Sequence, residues 1–226
     1  MGDSNKRKLC FCSWSGGKDS CFALYKAIQN GFECKTLLTM VEENEINSRS
    51  HGLSVEVLKM QSSALGIPVK TVPAAWGNYE AVYKEQISLL KKEQIFDGVF
   101  GDIDLEAHRE WIQRVCADVG VNYHLPLWKQ NRRMLVEEFV ILGFKALIVA
   151  INIEKMSESY LGRELDHALI EELESQGIDA CGENGEFHTF VYAGPIFIKP
   201  VSFTKGEICK KGNHSFLSIT IKNCDC

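Results

Sequence analysis

The chain has 226 residues, 45% of them hydrophobic and 24% charged, enough for one large domain or one domain with a small second lobe and too few for a multidomain assembly. The balance excludes intrinsic disorder, and no apolar stretch approaches the ~18–20 residues of a membrane span, the run at 146–151 being among the longest. A formal net charge of −5 argues against a surface that grips nucleic acid over its whole extent and leaves room only for a local basic groove.

Residues 1–9 are too polar for a signal-peptide core, which points to a cytoplasmic protein without a membrane partner. Nine scattered cysteines with no CxxC fit reduced thiols better than a disulfide framework. The nearest approach to a metal motif is Cys224-Asp225-Cys226 at the chain end, where fraying is the usual state.

Apolar, β-branched runs at 9–13, 36–41, 69–72, 98–100 and 146–151 predict strands. Helical spacing fills the gaps at 18–29, 54–65, 79–93, 106–119 and 132–142; Trp111, Ile112, Val115, Cys116 and Val119 show it well. The alternation predicts an α/β fold with a parallel twisted sheet, helices on both faces, and ligands along the carboxyl edge of the strands. After residue 153 the rhythm changes to one helix at 166–175, a Gly-rich polar loop at 182–194, and strand-like segments at 195–201 and 215–222. The division expected is therefore 1–152 for a nucleotide-binding domain and 153–226 for a smaller substrate-binding lobe, packed tightly because no flexible linker separates them.

Directly after the first strand, and straight into a helical pattern, comes Ser15-Gly16-Gly17-Lys18-Asp19-Ser20. Two glycines let backbone N–H groups approach an anion, the helix start adds unpaired donors, and Lys18 adds a point charge. Ser13, Ser15 and Ser20 extend the candidate ATP-binding set, and Asp19 is a candidate Mg2+ ligand or else a helix cap. The spacing fits neither GxxxxGK[ST] nor GxGxxG. SGGKDS after a first strand resembles the PP-loop of the ATP pyrophosphatases, adenine nucleotide alpha hydrolase-like enzymes that cleave ATP between the α and β phosphates. The resemblance implies adenylation of an acceptor.

The stretch from Cys181 to Val191 packs Glu183, Asn184, Glu186, His188 and Thr189 around two glycines. With an extended chain after Gly185, Glu186 and His188 share one face, Phe187 and Thr189 the other. Glu183 and Glu186 are candidate magnesium, ammonium or substrate binders and His188 a candidate proton carrier; a solvated polar hairpin is the alternative. GENGEFHTFV followed by Gly194-Pro195-Ile196-Phe197 resembles the signature of the diphthine-ammonia ligase family. Further matches run in that family's order, among them Ser50-His51-Gly52, Gly101-Asp102-Ile103, Arg109-Glu110-Trp111, Pro126-Leu127-Trp128 and Leu161-Gly162-Arg163. Ala193 stands where the family pattern has aspartate before GPxF.

The resemblance implies amidation of diphthine on translation elongation factor 2, with ATP and ammonium consumed and AMP and pyrophosphate released through an acyl-adenylate. It implies Mg2+ beside Lys18, the elongation factor as protein partner and no direct nucleic-acid partner. Catalytic residues would be Lys18, Asp19, Glu183, Glu186 and His188; His51, Asp102, Arg109, Gly162, Arg163, Asn184 and Thr189 would bind substrate. Local alternatives exist: Arg109 is placed to pair with Glu106 at i,i+3, and Trp76, Tyr79, Trp111 and Trp128 serve either as core or as stacking surfaces for adenine or a substrate ring. No length is spare for a glutamine-hydrolysing domain, which favours free ammonium, and Cys181 reads as a buried structural thiol. Two other functions stay open: a tRNA-modifying PP-loop enzyme, which calls for an RNA-binding domain or a cysteine pair, and a noncatalytic nucleotide-binding regulator.

Overall fold

A computed structural model describes residues 7–43, 48 and 51–221; the tripeptide Cys224-Asp225-Cys226 and Ser50 lie outside the described residues. The first half alternates β1 (Lys8–Ser13), α1 (Lys18–Gln29), β2 (Phe32–Val41), α2 (Val55–Leu65), β3 (Val69–Pro73), α3 (Tyr79–Lys92), β4 (Asp97–Val99), α4 (Glu106–Val119) and β5 (Asn122–His124). All five strands pair in parallel, in the order β3-β2-β1-β4-β5.

Side-chain alternation on the central strands sorts the helices between the two faces. Cys10 and Cys12 of β1 pack with Leu37 and Val41 of β2 against Phe22 and Leu24 of α1 and Val57 and Leu58 of α2. Phe11, between those cysteines, packs with Leu38 and Met40 against Tyr83 and Ile87 of α3 and Ile112 and Val115 of α4. Local chemistry sets the helix ends: Ser54 accepts from the Val57 N–H at the start of α2, and Gly66 closes that helix in the left-handed region.

The second half runs α5 (Arg132–Ile141), β6 (Lys145–Asn152), a short 3-10 turn at Glu158–Tyr160, α6 (His167–Ser175), β7 (Phe187–Ala193), β8 (Phe203–Lys211) and β9 (His214–Ile221). Its strands form an antiparallel sheet in the order β7-β6-β9-β8. The architecture is thus a parallel sheet covered on both faces, plus a smaller C-terminal lobe.

Several sequence expectations need correction. β6 is not the next parallel strand, because it pairs with β7 and β9; the break between sheets falls between β5 and β6, ahead of the expected 152/153 division. Residues 195–201 are not a strand, since Pro195 and Pro200 lack donors and the segment instead lies along α2 and β7, with Ile198 N–H to Ala64 O and Val201 N–H to Tyr192 O. The expected loop at 182–194 contains β7, and β5 and β8 were not anticipated. One buried cluster runs from Cys10 and Phe22 through Phe139 and Phe144 to Val149 and Phe190, so the two sheets share a core. No helix among the described residues is long and apolar enough to cross a membrane.

Candidate active site

Ser13 ends β1 and Lys18 opens α1, so four residues carry the turn between them. Gly16 has φ +84°, a conformation that other residues reach only with strain. The serines shape the turn from inside: Ser15 and Ser20 hydroxyls meet at 3.0 Å, and Ser20 Oγ donates to Gly17 O at 3.1 Å.

The second sheet clamps the loop from outside. Val191 N–H donates to Gly16 O at 3.0 Å, and the Lys18 N–H donates to Thr189 Oγ1 at 3.0 Å. His51 Nδ1 lies 2.9 Å from Thr189 O, and its ring meets that of His188 at a centroid distance of 4.6 Å. Gln61, fully buried on α2, donates to Gly16 O at 2.9 Å and Val191 O at 2.7 Å and accepts from Trp14 Nε1 at 3.1 Å. Sequence reasoning missed Gln61, because a single glutamine in an amphipathic helix has no distinguishing pattern.

Three charges converge at the loop. Lys18, buried, places Nζ 2.8 and 2.9 Å from the two Asp19 oxygens and 3.9 Å from Glu183 Oε1. Burial works against the Lys18 charge, but Asp19 foremost and then Cys181 and Glu183 outweigh it and hold the ammonium above its ordinary range. Burial, reinforced by the Asp19 charge, pushes the Glu183 carboxyl up to about 7. Burial likewise pushes the Cys181 thiol up to about 12, so it stays protonated and unreactive at neutral pH.

Asp19, Cys181 and Glu183 bring potential ligand atoms within 4.8 Å of one another. The carboxylates suit a hard divalent cation and the protonated thiol does not, so the fit to Mg2+ rests on Asp19 and Glu183. Burial is the main cause of the raised Glu183 carboxyl, and a cation bound there would lower it.

A cleft of about 710 Å³ opens over the carboxyl ends of β2, β1 and β4. Strand order reverses here, with β2 and β3 on one side of β1 and β4 and β5 on the other, the usual ligand crevice of an open parallel sheet. Of the candidate residues, Ser13, Ser15, Asp19, Ser20, His51, Asp102 and Glu183 line it.

Others are occupied elsewhere. Glu186 is buried and accepts from the backbone N and Nδ2 of Asn184 at 3.0 and 3.1 Å, closing the turn before β7 instead of facing the cleft. Asn184 Oδ1 in turn accepts from Arg132, which also pairs with Asp104 and Asp179. His188 does not line the cleft; burial, then the neighbouring His51, depress its pKa well below the usual value, so it stays neutral and packs on His51 instead of carrying protons. Thr189 holds the loop, which reverses the expected facing of β7.

Arg109 lies 2.9 Å from Glu106 and over the Trp128 ring. Arg163 grips both Glu172 oxygens at 2.7 Å, and the Gly162 carbonyl accepts from Lys205, which leaves both residues inside the C-terminal lobe.

The paired histidines contribute an acid-sensitive share of the fold's stability. Burial lowers the folded pKa of both His51 and His188, so below pH 6.5 the unfolded chain takes up protons that the folded chain refuses. Their stabilisation is complete above pH 6.5 and falls as pH drops toward the folded pKa values, approaching about 1.4 kcal/mol per pH unit for each ring. Urea unfolding at pH 7.5 and 5.5, compared between the chain and His188→Leu, separates this from Glu183, whose raised carboxyl takes up a proton in the same window and works in the opposite direction; the stability difference between the two chains should shrink as pH falls, and a constant difference would contradict the assignment.

Sequence comparison agrees with this geometry. A model of the diphthamide synthase N-terminal domain matches residues 9–123, and one of the C-terminal domain matches 131–223. The chain is similar to the diphthine–ammonia ligase of Mus musculus, 23% identical over 91% of this chain and 86% of that protein. It is 24% identical to the Homo sapiens diphthine–ammonia ligase over 86% of this chain and 82% of the other. For the Schizosaccharomyces pombe diphthine–ammonia ligase the identity is 23%, over 93% of this chain but 38% of that longer protein. With a domain model matched on each side of the break between the two sheets, the chain belongs to the diphthamide synthase family.

Proposed function

We propose that the chain is an ATP-dependent ligase that converts the carboxylate of diphthine on translation elongation factor 2 to an amide, using ammonium and releasing AMP and pyrophosphate. The observation that carries the reading is the Lys18–Asp19–Glu183 cluster at the carboxyl end of β1, in a chain both of whose halves match the family. In this reading ATP lies in the cleft with its β and γ phosphates at the loop, where the Lys18 ammonium offsets negative charge as pyrophosphate departs. Mg2+, held by Asp19 and Glu183, would supply further neutralisation of that leaving group.

The acceptor carboxylate attacks the α phosphorus, the bond to the β-phosphate oxygen breaks, and ammonia displaces AMP from the resulting acyl-adenylate. Ser15 and Ser20 keep the loop rigid, and Thr189, His51 and Gln61 keep it in register with the cleft. Free ammonium is the nitrogen donor, since the buried, protonated Cys181 is unsuited to act as a glutaminase nucleophile.

The test combines purified protein with ATP, magnesium, ammonium and diphthine-bearing elongation factor 2. AMP formation together with a loss of about one dalton from the modified histidine peptide, OH replaced by NH2, is the expected result. AMP without the mass change would reassign the acceptor, tRNA being the next to try, and ATP binding without AMP would favour a regulator.

A further inference from the structure

Amide formation needs a proton acceptor. The nitrogen donor enters as ammonium, and only after losing a proton does it carry the lone pair that attacks a carbonyl carbon. His188 is neutral and does not line the cleft, so it does not serve. Among the described residues, the histidines that do line it are His51 and His108. His51 is buried, its Nδ1 is committed to Thr189 O, and burial lowers its pKa, which makes it a weak base. Asp19 and Glu183 face Lys18 and form the candidate cation site, and Glu80 is held by Lys84 and Arg114.

His108 is differently placed. It stands on the first turn of α4 with its side chain 61% exposed, and its Nδ1 lies 3.0 Å from Asp102 Oδ1. The carboxylate accepts the Nδ1 proton, so the neutral ring keeps its lone pair on Nε2. No hydrogen bond within the described residues occupies that nitrogen.

Backbone packing sets the pair beside the phosphate loop. Gly101 follows β4 and rests on the start of α1, where a Cβ on it would lie 2.7 Å from both Asp19 C and Ser20 N. Asp102, which orients His108, is the next residue along the chain. Asp102 foremost, with Glu183 adding to it, outweighs burial and raises the His108 pKa above its usual 6.5. On its own helix Glu106 pairs with Arg109 and with Lys129 from the segment before α5.

We propose that His108 is the general base of the amide-forming step and that Asp102 positions it. This rests on the amidation reading. His108 Nε2 takes one proton from ammonium, and the freed lone pair forms the C–N bond at the acyl carbon. The C–O bond to AMP breaks with its electron pair on the AMP phosphate oxygen, and the nitrogen sheds its second proton to water in the open cleft.

The test is His108→Gln in the full chain, a variant that keeps the fold because the side chain is exposed. Its kcat/KM for ammonium should fall about 10²-fold. Adenylation, read without ammonium as pyrophosphate exchange into ATP with diphthine-bearing elongation factor 2, should stay within about twofold. Hydroxylamine is unprotonated at neutral pH and needs no base, so the variant should form hydroxamate within about threefold of the unchanged chain. Amide formation by the unchanged chain should be lost as pH falls through the His108 pKa and level off above it. In His108→Gln it should follow the free-ammonia fraction, rising about tenfold per pH unit through the neutral range. Asp102→Asn should move the acid limb of the profile to lower pH, because the carboxylate is what raises it.

Undiminished use of ammonium by His108→Gln, an equal loss with hydroxylamine, or a variant profile that stays level would overturn the base while leaving the ligase reading intact. So would a rise confined to the KM for ATP, which would put His108 on the nucleotide. An unchanged chain that gives neither pyrophosphate exchange nor amide would refute the ligase reading, and the base would fall with it.

Discussion

Replacing Lys18 with methionine should reduce ATP-dependent pyrophosphate release by about 10³-fold or more, the scale of losing a preorganised charge at a developing anion. Methionine keeps most of the alkyl volume, so the void is small, but the ammonium that sits 2.8 Å from Asp19 and 3.9 Å from Glu183 is gone. Asp19 and Glu183 then face each other without a cation, and Glu183, already pushed up to about 7, should take up a proton at neutral pH. Breaking a buried ion pair from one side costs about 3–5 kcal/mol when the remaining charge persists, and protonation of Glu183 relieves part of that. The variant should therefore fold with a lowered urea midpoint. Circular dichroism establishes the fold and a coupled pyrophosphate assay the rate; turnover within tenfold of wild type would refute the phosphate-loop assignment.

The second large effect is expected at Gly17, for a steric reason. Its φ of −94° is open to any residue, yet a Cβ there would lie 2.2 Å from His51 Cε1 and 3.1 Å from Thr189 O. His51 cannot retreat without giving up its 2.9 Å contact with Thr189 O and its packing on His188. Gly17→Ala should destabilise the chain by about 1–3 kcal/mol, as overpacking does. Displacing the loop by about 1 Å should lower activity about 10²-fold. The double variant Gly17→Ala, His51→Ala removes the main clash and should recover part of the lost stability. The two substitutions must therefore be non-additive, and strict additivity in urea unfolding would show that the loop and His51 are not in contact.

Both expectations involve the loop at Ser15–Ser20, and its place between a strand and a helix was the most legible part of the chain. Ser15 to Ser20 are contiguous, and their chemistry requires only a strand before them and a helix after. The expected helix at 18–29 coincides with α1, and α4 matches the expected 106–119. The other carboxylate of the cluster, Glu183, was also legible, because a polar, glycine-rich stretch seldom occurs without a structural or chemical reason.

The neighbours of Glu183 were not legible, and the reasons differ. Glu186 and Glu183 look alike in the sequence, and the turn that hands Glu186 to Asn184 decides between them. The polar alternation of His188 and Thr189 gave no sign which residue would meet the loop, since a one-residue change of facing exchanges them. Arg109 and Arg163 satisfied themselves locally, on Glu106 and Glu172.

Local pattern alone determined the strand-loop-helix turn at residues 13–20 and most of the alternation of strands and helices as far as α5, because each rests on interactions spanning a few residues. Only the tertiary structure decided that β6 joins an antiparallel sheet and that β7 and Gln61 clamp the loop. An apolar run such as residues 146–151 suits the centre of either sheet equally well. The partners of β6, of Thr189 and of Gln61 lie tens of residues or more away along the chain, and nothing local records which of them will arrive.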